Sequence, residues 1–178
     1  ENRLLSTPAV LTGSLVTLNE EMGKALIAEH DIPVPAHATG TFEEVIAAAD
    51  LLGFPLAVKL LNEDLLHKNR AGAVHLNIND ASGLKQAISA IQTSVSRYDA
   101  RLDTSHFLIE RMVSAPRAEF IAGVSHKPGI GYALVIGRGG TAVEELKDFA
   151  TLLLPVNEAQ IDDALRGLNL TRKLCLQE

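Results

Sequence analysis

The chain has 178 residues, 47% hydrophobic and 21% charged, with a formal net charge of −6, which is enough for one sizeable core or two small lobes sharing an interface. The negative balance excludes a global field that would recruit nucleic acid or an acidic membrane surface, so any bound anion must be held locally. One cysteine, Cys175, excludes an intrachain disulfide and fits a reducing, cytoplasmic setting.

Residues 1–16, ENRLLSTPAVLTGSLV, read as a linker from an upstream region. They lack a basic stretch leading into an apolar one, and no run in the chain approaches the roughly 18 apolar residues of a membrane helix. Thr17-Leu18-Asn19-Glu20 matches a capping box, and Met22, Leu26 and Ile27 follow at helical spacing until HDIPVP stops the helix. TFEEVIAAADLLG repeats the pattern, with Thr41 as N-cap, Glu44 three residues on, an apolar stripe of Val45, Ala48, Ala49 and Leu52, and Gly53 as the stop. PLAVKLL then reads as a short buried strand. GAVHLNIN alternates, which predicts Val74, Leu76 and Ile78 on a core face and His75, Asn77 and Asn79 on a wet one. Asp80 is placed to cap a helix to about Tyr98 whose buried face is Leu84, Ala87, Ile88 and Ile91. HFLIERMV, AEFIAGVSH and GYALVIG read as three further strands, and NEAQIDDALRGLNLTRKL as one amphipathic helix. Helices with an early hairpin, followed by a run of strands, predict an α+β (α/β) protein rather than a regular βαβ repeat.

Lys59 sits in the middle of an apolar strand, where desolvating an ammonium costs several kcal/mol unless a partner compensates. It is either an edge-strand lysine or structural ion pair, or a cation held rigidly for an anionic ligand such as phosphate. The loop LLHKNRAG adds His67, Lys68 and Arg70 within four positions, after two apolar anchors, Leu65 and Leu66. Gly72 closes that loop where a backbone can approach a ligand closely. GRGGTAVEELKD could cradle an anion with backbone N–H groups and bring Glu144, Glu145 and Asp148 near a divalent cation. GIGYALVIG lacks the strand–GxGxxG–helix order of a dinucleotide site, and no nucleophile elbow, Walker loop or zinc-ligand spacing occurs.

Taken together, LNEEMGKALIAEHDIPVP, AADLLGFPLAVKLL, LLHKNRAGAVHLNI, FLIERMV, AEFIAGV and GRGGTAVEELKDFATLLLPV occur in an order that resembles the ATP-grasp domain of the nucleoside-diphosphate-forming acyl-CoA synthetases. These are the ADP-forming acetate–CoA ligases and their relatives in the succinyl-CoA synthetase superfamily. The resemblance covers residues 17–178 and implies two α+β lobes with the nucleotide between them: residues 17–106 as the N-terminal part and lid lobe, and 107–178 as a partial C-terminal lobe.

It further implies that Lys59 contacts the nucleotide phosphates, with Lys68 and Gly72 also on the nucleotide. Glu110, Arg111 and Met112 form the hinge that meets adenine, and Glu119 binds the ribose hydroxyls. His67 matches the histidine of the family's His-Lys-Ser-Asp loop, implicated in relaying phosphate between ATP and a phosphohistidine. The implied cofactors are Mg²⁺, with no ligands assigned, and ATP/ADP, with CoA on a missing domain. The implied partners are the CoA-binding and phosphohistidine domains of the same or a partner chain, with an oligomer possible and neither nucleic acid nor membrane involved. Asn69-Arg70 replaces Ser-Asp, Ala73 replaces a glycine and Lys127 replaces an aspartate of the family pattern. Those departures favour a rival: a degenerate, non-catalytic ATP-grasp-like sensing or scaffolding module fused to another activity, such as a lysine acetyltransferase; another ATP-grasp carboxylate–amine ligase ranks last, since it would not need the His-Lys loop.

Overall fold

The structure is a computed structural model that describes residues 17–65, 67–140 and 147–175. It divides into two compact units, one within residues 15–114 and one within 115–178. The expected linker at 1–16, Leu66, Glu144 and Glu145 lie outside the described residues.

The first unit contains α1 (Glu20–Ala28), β1 (His37–Gly40), α2 (Phe42–Leu52), β2 (Leu56–Leu60), β3 (Val74–Ile78), α3 (Ala81–Tyr98) and β4 (Phe107–Arg111). Its four strands are all antiparallel to their neighbours, in the order β1-β4-β2-β3. β4 belongs to this unit, whereas the sequence reading begins its second part at residue 107. α2 forms as its sequence predicts: Thr41 and Glu44 make a reciprocal capping box and Gly53 ends the helix at φ 77°. Asp80 caps α3 by accepting the Gly83 N–H at 2.7 Å. The α3 stripe of Leu84, Ala87, Ile88 and Ile91, extended by Val95, is buried against Val45 and Ala49 of α2 and against Leu56, Val58, Leu60, Phe107 and Ile109. This apolar layer is the main core, each fully buried large side chain contributing roughly 1.5–3 kcal/mol.

Period-two alternation then fixes the opposite face of the sheet. With Leu56, Val58 and Leu60 facing the helices, Ala57 and Lys59 face away; with Phe107 and Ile109 inward, Leu108 and Glu110 face away.

Three expectations are corrected. α1 is capped by Asn19, whose side chain accepts the Met22 N–H at 3.0 Å, and not by Thr17, because the helix starts at Glu20. β3 does not keep Val74, Leu76 and Ile78 on one core face. Its register with β2 shifts between Leu56↔Ile78 and Val58↔His75, placing one extra residue in β3, and Asn77 adopts φ 58° there. A one-residue bulge exchanges the two faces, so Ile78 reaches the core, Val74 lies beside Lys59 on the opposite face, and Leu76 is left 56% exposed.

The second unit is an antiparallel sheet of β5 (Phe120–Lys127), β6 (Gly131–Arg138) and β7 (Phe149–Leu153), followed by α4 (Glu158–Gly167) and α5 (Asn169–Cys175). The tail is therefore two helices, not one, and this is the third correction. Asp148 accepts the N–H groups of Asn169 and Leu170, both at 2.9 Å, and so starts a new helix after Leu168. β1 and β7 are elements that the sequence reading did not resolve.

Candidate functional site

Lys59 lies on β2, which is hydrogen-bonded to β4 on one side and β3 on the other, so it is not an edge-strand lysine. Its ammonium meets two carboxylates at 2.5 Å, Oε1 of Glu20 and Oε1 of Glu110. Lys24 takes the second oxygen of Glu110 at 2.6 Å, and Lys68 approaches the second oxygen of Glu20 at 3.5 Å. The result is a chain of alternating charges, Lys24–Glu110–Lys59–Glu20–Lys68, laid across the sheet face away from the core.

Partial burial gives these pairs more weight than surface salt bridges. Burial alone would lower the pKa of Lys59, but its bonds to Glu110 and Glu20 outweigh that and leave it above the ordinary lysine value. Burial would raise Glu110, yet the bonds from Lys24 and Lys59 hold its carboxyl below the usual glutamate value.

A cavity of about 440 Å³ opens beside this chain, lined by Glu20, Lys59, His67, Lys68, Asn69, Arg70 and Val74. A hollow of about 570 Å³ on the outer face of α3 is larger, but Lys85 is the only charged residue among those lining it. Charge therefore assigns the smaller cavity as the candidate site, since three cationic side chains and a histidine line it with one carboxylate.

The loop that supplies His67, Lys68 and Arg70 is held by its own backbone. Ala71 N–H donates to His67 O at 3.1 Å, Ala73 N–H to Lys68 O at 2.9 Å, and Leu60 N–H to Ala73 O at 3.0 Å, so the loop closes directly onto β2. Leu65 anchors it in the core, as its apolar character predicts. Gly72, at φ 67°, makes its close approach to α3: a Cβ there would come within 3.0 Å of the Ser94 side chain. It is not among the residues lining the cavity.

The structure thus brings Lys59, His67 and Lys68 together, with Glu110 joined to them through Lys59. Arg111 and Met112 continue β4, and both of their N–H groups are used within the unit, donated to Ala36 O at 2.9 Å and Pro55 O at 3.0 Å. The Met112 sulfur lies 3.0 Å from the Asn77 nitrogen. Glu119 belongs to the second unit, where its carbonyl accepts the Gly139 N–H at 2.7 Å. Among the described residues no group of three or more His, Cys, Asp or Glu side chains gathers, and both oxygens of Asp148 are engaged at the start of α5. No metal position is assigned on this basis.

Sequence reasoning missed Glu20 and Lys24 as members of the site. The available signal was a helix presenting a carboxylate and an ammonium four residues apart, which share one face. It also placed Val74 on the wrong side of the sheet.

The chain is thus an α+β protein with a lysine on an inner antiparallel strand and a basic loop closing onto that strand. More particularly, the chain belongs to the ATP-grasp family: the model of that domain matches residues 9–176. It is 31% identical over 158 residues to the ADP-forming 4-hydroxybutyrate–CoA ligase of Nitrosopumilus maritimus, covering 88% of this chain and 22% of the relative. It is 32% identical over 150 residues to subunit beta of acetate–CoA ligase (ADP-forming) II from Pyrococcus furiosus, covering 84% and 63% respectively. The chain therefore spans less than two thirds of either relative. Among solved structures, it superposes with a TM-score of 0.79 on the dinucleotide-forming acetyl-coenzyme A synthetase 1 of Ca. Korarchaeum cryptofilum, a complex with coenzyme A and Ca-AMPCP. Identity there is 25%, and 88% of this chain and 68% of that one are covered. A Pyrococcus horikoshii protein matches with a TM-score of 0.81 and 28% identity over 89% of this chain and 67% of that one. No helix among the described residues is long and apolar enough to cross a membrane.

Proposed function

We propose that this chain is the ATP-binding domain of an ADP-forming acyl-CoA synthetase, transferring phosphate between ATP/ADP and a phosphohistidine relay coupled to acyl-CoA formation or cleavage. The observation that carries the reading is the convergence of Lys59, Lys68, Arg70 and His67 on one cavity. Phosphoryl transfer depends mainly on positioning and on neutralising charge on the phosphate oxygens. Lys59 supplies a cation fixed on a rigid strand, and Lys68 and Arg70 supply cations from a loop tied to that strand.

His67 is the acceptor in this reading. A ring nitrogen bonds to the γ-phosphorus while the bond from that phosphorus to the β–γ bridging oxygen breaks, releasing ADP; the phosphoryl group then passes to the phosphohistidine domain. Glu110, Arg111 and Met112 keep the adenine role and Glu119 the ribose role. Gly72 serves by letting the loop pack on α3. Mg²⁺ accompanies the nucleotide without a protein ligand assigned, and no step here is routed through it. CoA and the phosphohistidine belong to other domains or a partner chain, and a cytoplasmic location completes the proposal.

Titration calorimetry of ATP into the full chain, with Lys59→Ala alongside, tests the phosphate site. Binding in the parent that weakens tenfold or more in the variant is expected, by about the ~1.5–3 kcal/mol of charge-assisted hydrogen bonds; equal affinities would remove Lys59 from the site. In the longer protein, His67→Ala should abolish labelling of the partner domain by γ-labelled ATP while ATP binding persists.

A further inference from the structure

α1 contributes no buried residue to the first unit. Its hydrogen bonds and ion pairs to the sheet run from Glu20 to Lys59, from Lys24 to Glu110, and to Glu21, which accepts from the Thr39 hydroxyl at 2.6 Å. Glu20 is also the one acidic residue among those lining the cation cavity. A carboxylate bridging two ammonium groups has the charge, and presents the oxygen atoms, of a phosphate oxygen pair. Two anions cannot both take the same lysine donors, so one must leave for the other to bind.

We infer that Glu20 is a displaceable counter-ion: it occupies the donors of Lys59 and Lys68, and nucleotide phosphate exchanges with it, loosening the hold of the sheet on the N-terminal turn of α1. This deepens the nucleotide reading and rests on it. The Glu20 carboxylate aligns the two lysines toward the cavity, and ligand entry is coupled to the freedom of α1. Linkage makes the coupling reciprocal, so whatever Glu20 subtracts from phosphate affinity, phosphate subtracts from the hold on α1. Lys24–Glu110 and Glu21–Thr39 lie outside the cavity lining and remain as tethers.

The test uses the full chain, Glu20→Gln, sodium pyrophosphate and ATP as probes, and amide hydrogen exchange of residues 20–28, with α3 amides as the check on folding. Glu20→Gln should bind pyrophosphate about fivefold more tightly, the gain expected when a competing closed state is removed. Its α1 amides should exchange faster without ligand, and pyrophosphate should accelerate α1 exchange in the parent chain. Tighter binding with α1 exchange unchanged in both comparisons would overturn the exchange and leave only the altered field. Binding by the parent that leaves α1 equally or better protected would overturn it without any variant. In those two outcomes the nucleotide reading stands. Failure of both proteins to bind either anion would remove that reading and this inference together.

Discussion

The two faces of the four-stranded sheet are held by different physics. One face carries Leu56, Val58, Leu60, Phe107 and Ile109 beneath α2 and α3, in a layer with no buried polar or charged side chain among the described residues. The other also carries the buried Ala57 and Leu108, but it presents Lys59, Glu110 and Thr39 to α1, which meets them with Glu20, Lys24 and Glu21. Adjacent residues of the same strands serve both faces, so the division follows from alternation alone. The comparison teaches that the apolar face fixes the scaffold while the charged face is left with partners that a ligand can replace. Burial is non-directional and hard to exchange, whereas an ion pair can be traded for another of the same sign.

Breaking the apolar face should have the largest effect. Ile88 is fully buried on α3, so Ile88→Ala should lower unfolding free energy by about 2–5 kcal/mol, the transfer and cavity cost together. Urea denaturation measures it, and a loss under about 1 kcal/mol would mean that α3 is not the principal cover of this face. Lys59→Met tests the charged face. Glu110 keeps Lys24 and Glu20 keeps Lys68, so the urea-derived stability should change by no more than about 1 kcal/mol, because the large cost of breaking a buried pair comes from leaving a charge unpaired and neither carboxylate is left so. ATP affinity should meanwhile fall at least tenfold. A stability loss matching that of Ile88→Ala would erase the distinction between the faces.

The apolar face was largely legible in the sequence, and the charged one only in part. Thr41 with Glu44, Gly53, Asp80 and the α3 stripe are local patterns whose partners lie within a few residues, and all appear as read. Lys59 announced that it needed a partner, but Glu20 lies 39 residues away in the chain and Glu110 on another strand, and no local rule joins them. The bulge at Asn77 was hidden because alternation is a property of one strand and register of two. β1, His37–Gly40, is four residues of mixed polarity whose strand character comes from pairing with β4. The break before α5 depends on Asp148, which caps it from 21 residues upstream. What is local was readable, and what the site needs is mostly not local.

Acid should sharpen the contrast at a smaller scale. The Glu110 carboxyl is depressed below its ordinary value of 4.5, burial opposing the shift and the bonds from Lys24 and Lys59 prevailing. A depressed acid contributes stability that is present above its unfolded value and is lost as pH falls through the folded one. Between neutrality and pH 5 the α1 contacts should therefore hold, and below about 4.5 they should loosen progressively while the apolar face does not respond. NMR of α1 and α3 amides across that window reads both at once; Glu110→Gln should remove the acid response of α1, and a parallel response of the two helices would oppose the assignment.

Leu26→Ala should have the smallest effect of all. Leu26 is a large apolar residue on α1 and in a core helix would rank with Ile88, yet it is 46% exposed on a helix with no buried side chain. Truncation removes little buried area, and alanine's higher helix propensity returns part of what is lost, so the change in unfolding free energy should stay within about 0.5 kcal/mol. The same substitution chemistry on the two helices then yields losses several-fold apart, and that ratio measures how differently they are held. A loss of 2 kcal/mol or more would show α1 docked by burial after all. In that case Glu20 could not be exchanged for phosphate without dismantling a packed interface, and the counter-ion account would fail along with the contrast between the faces.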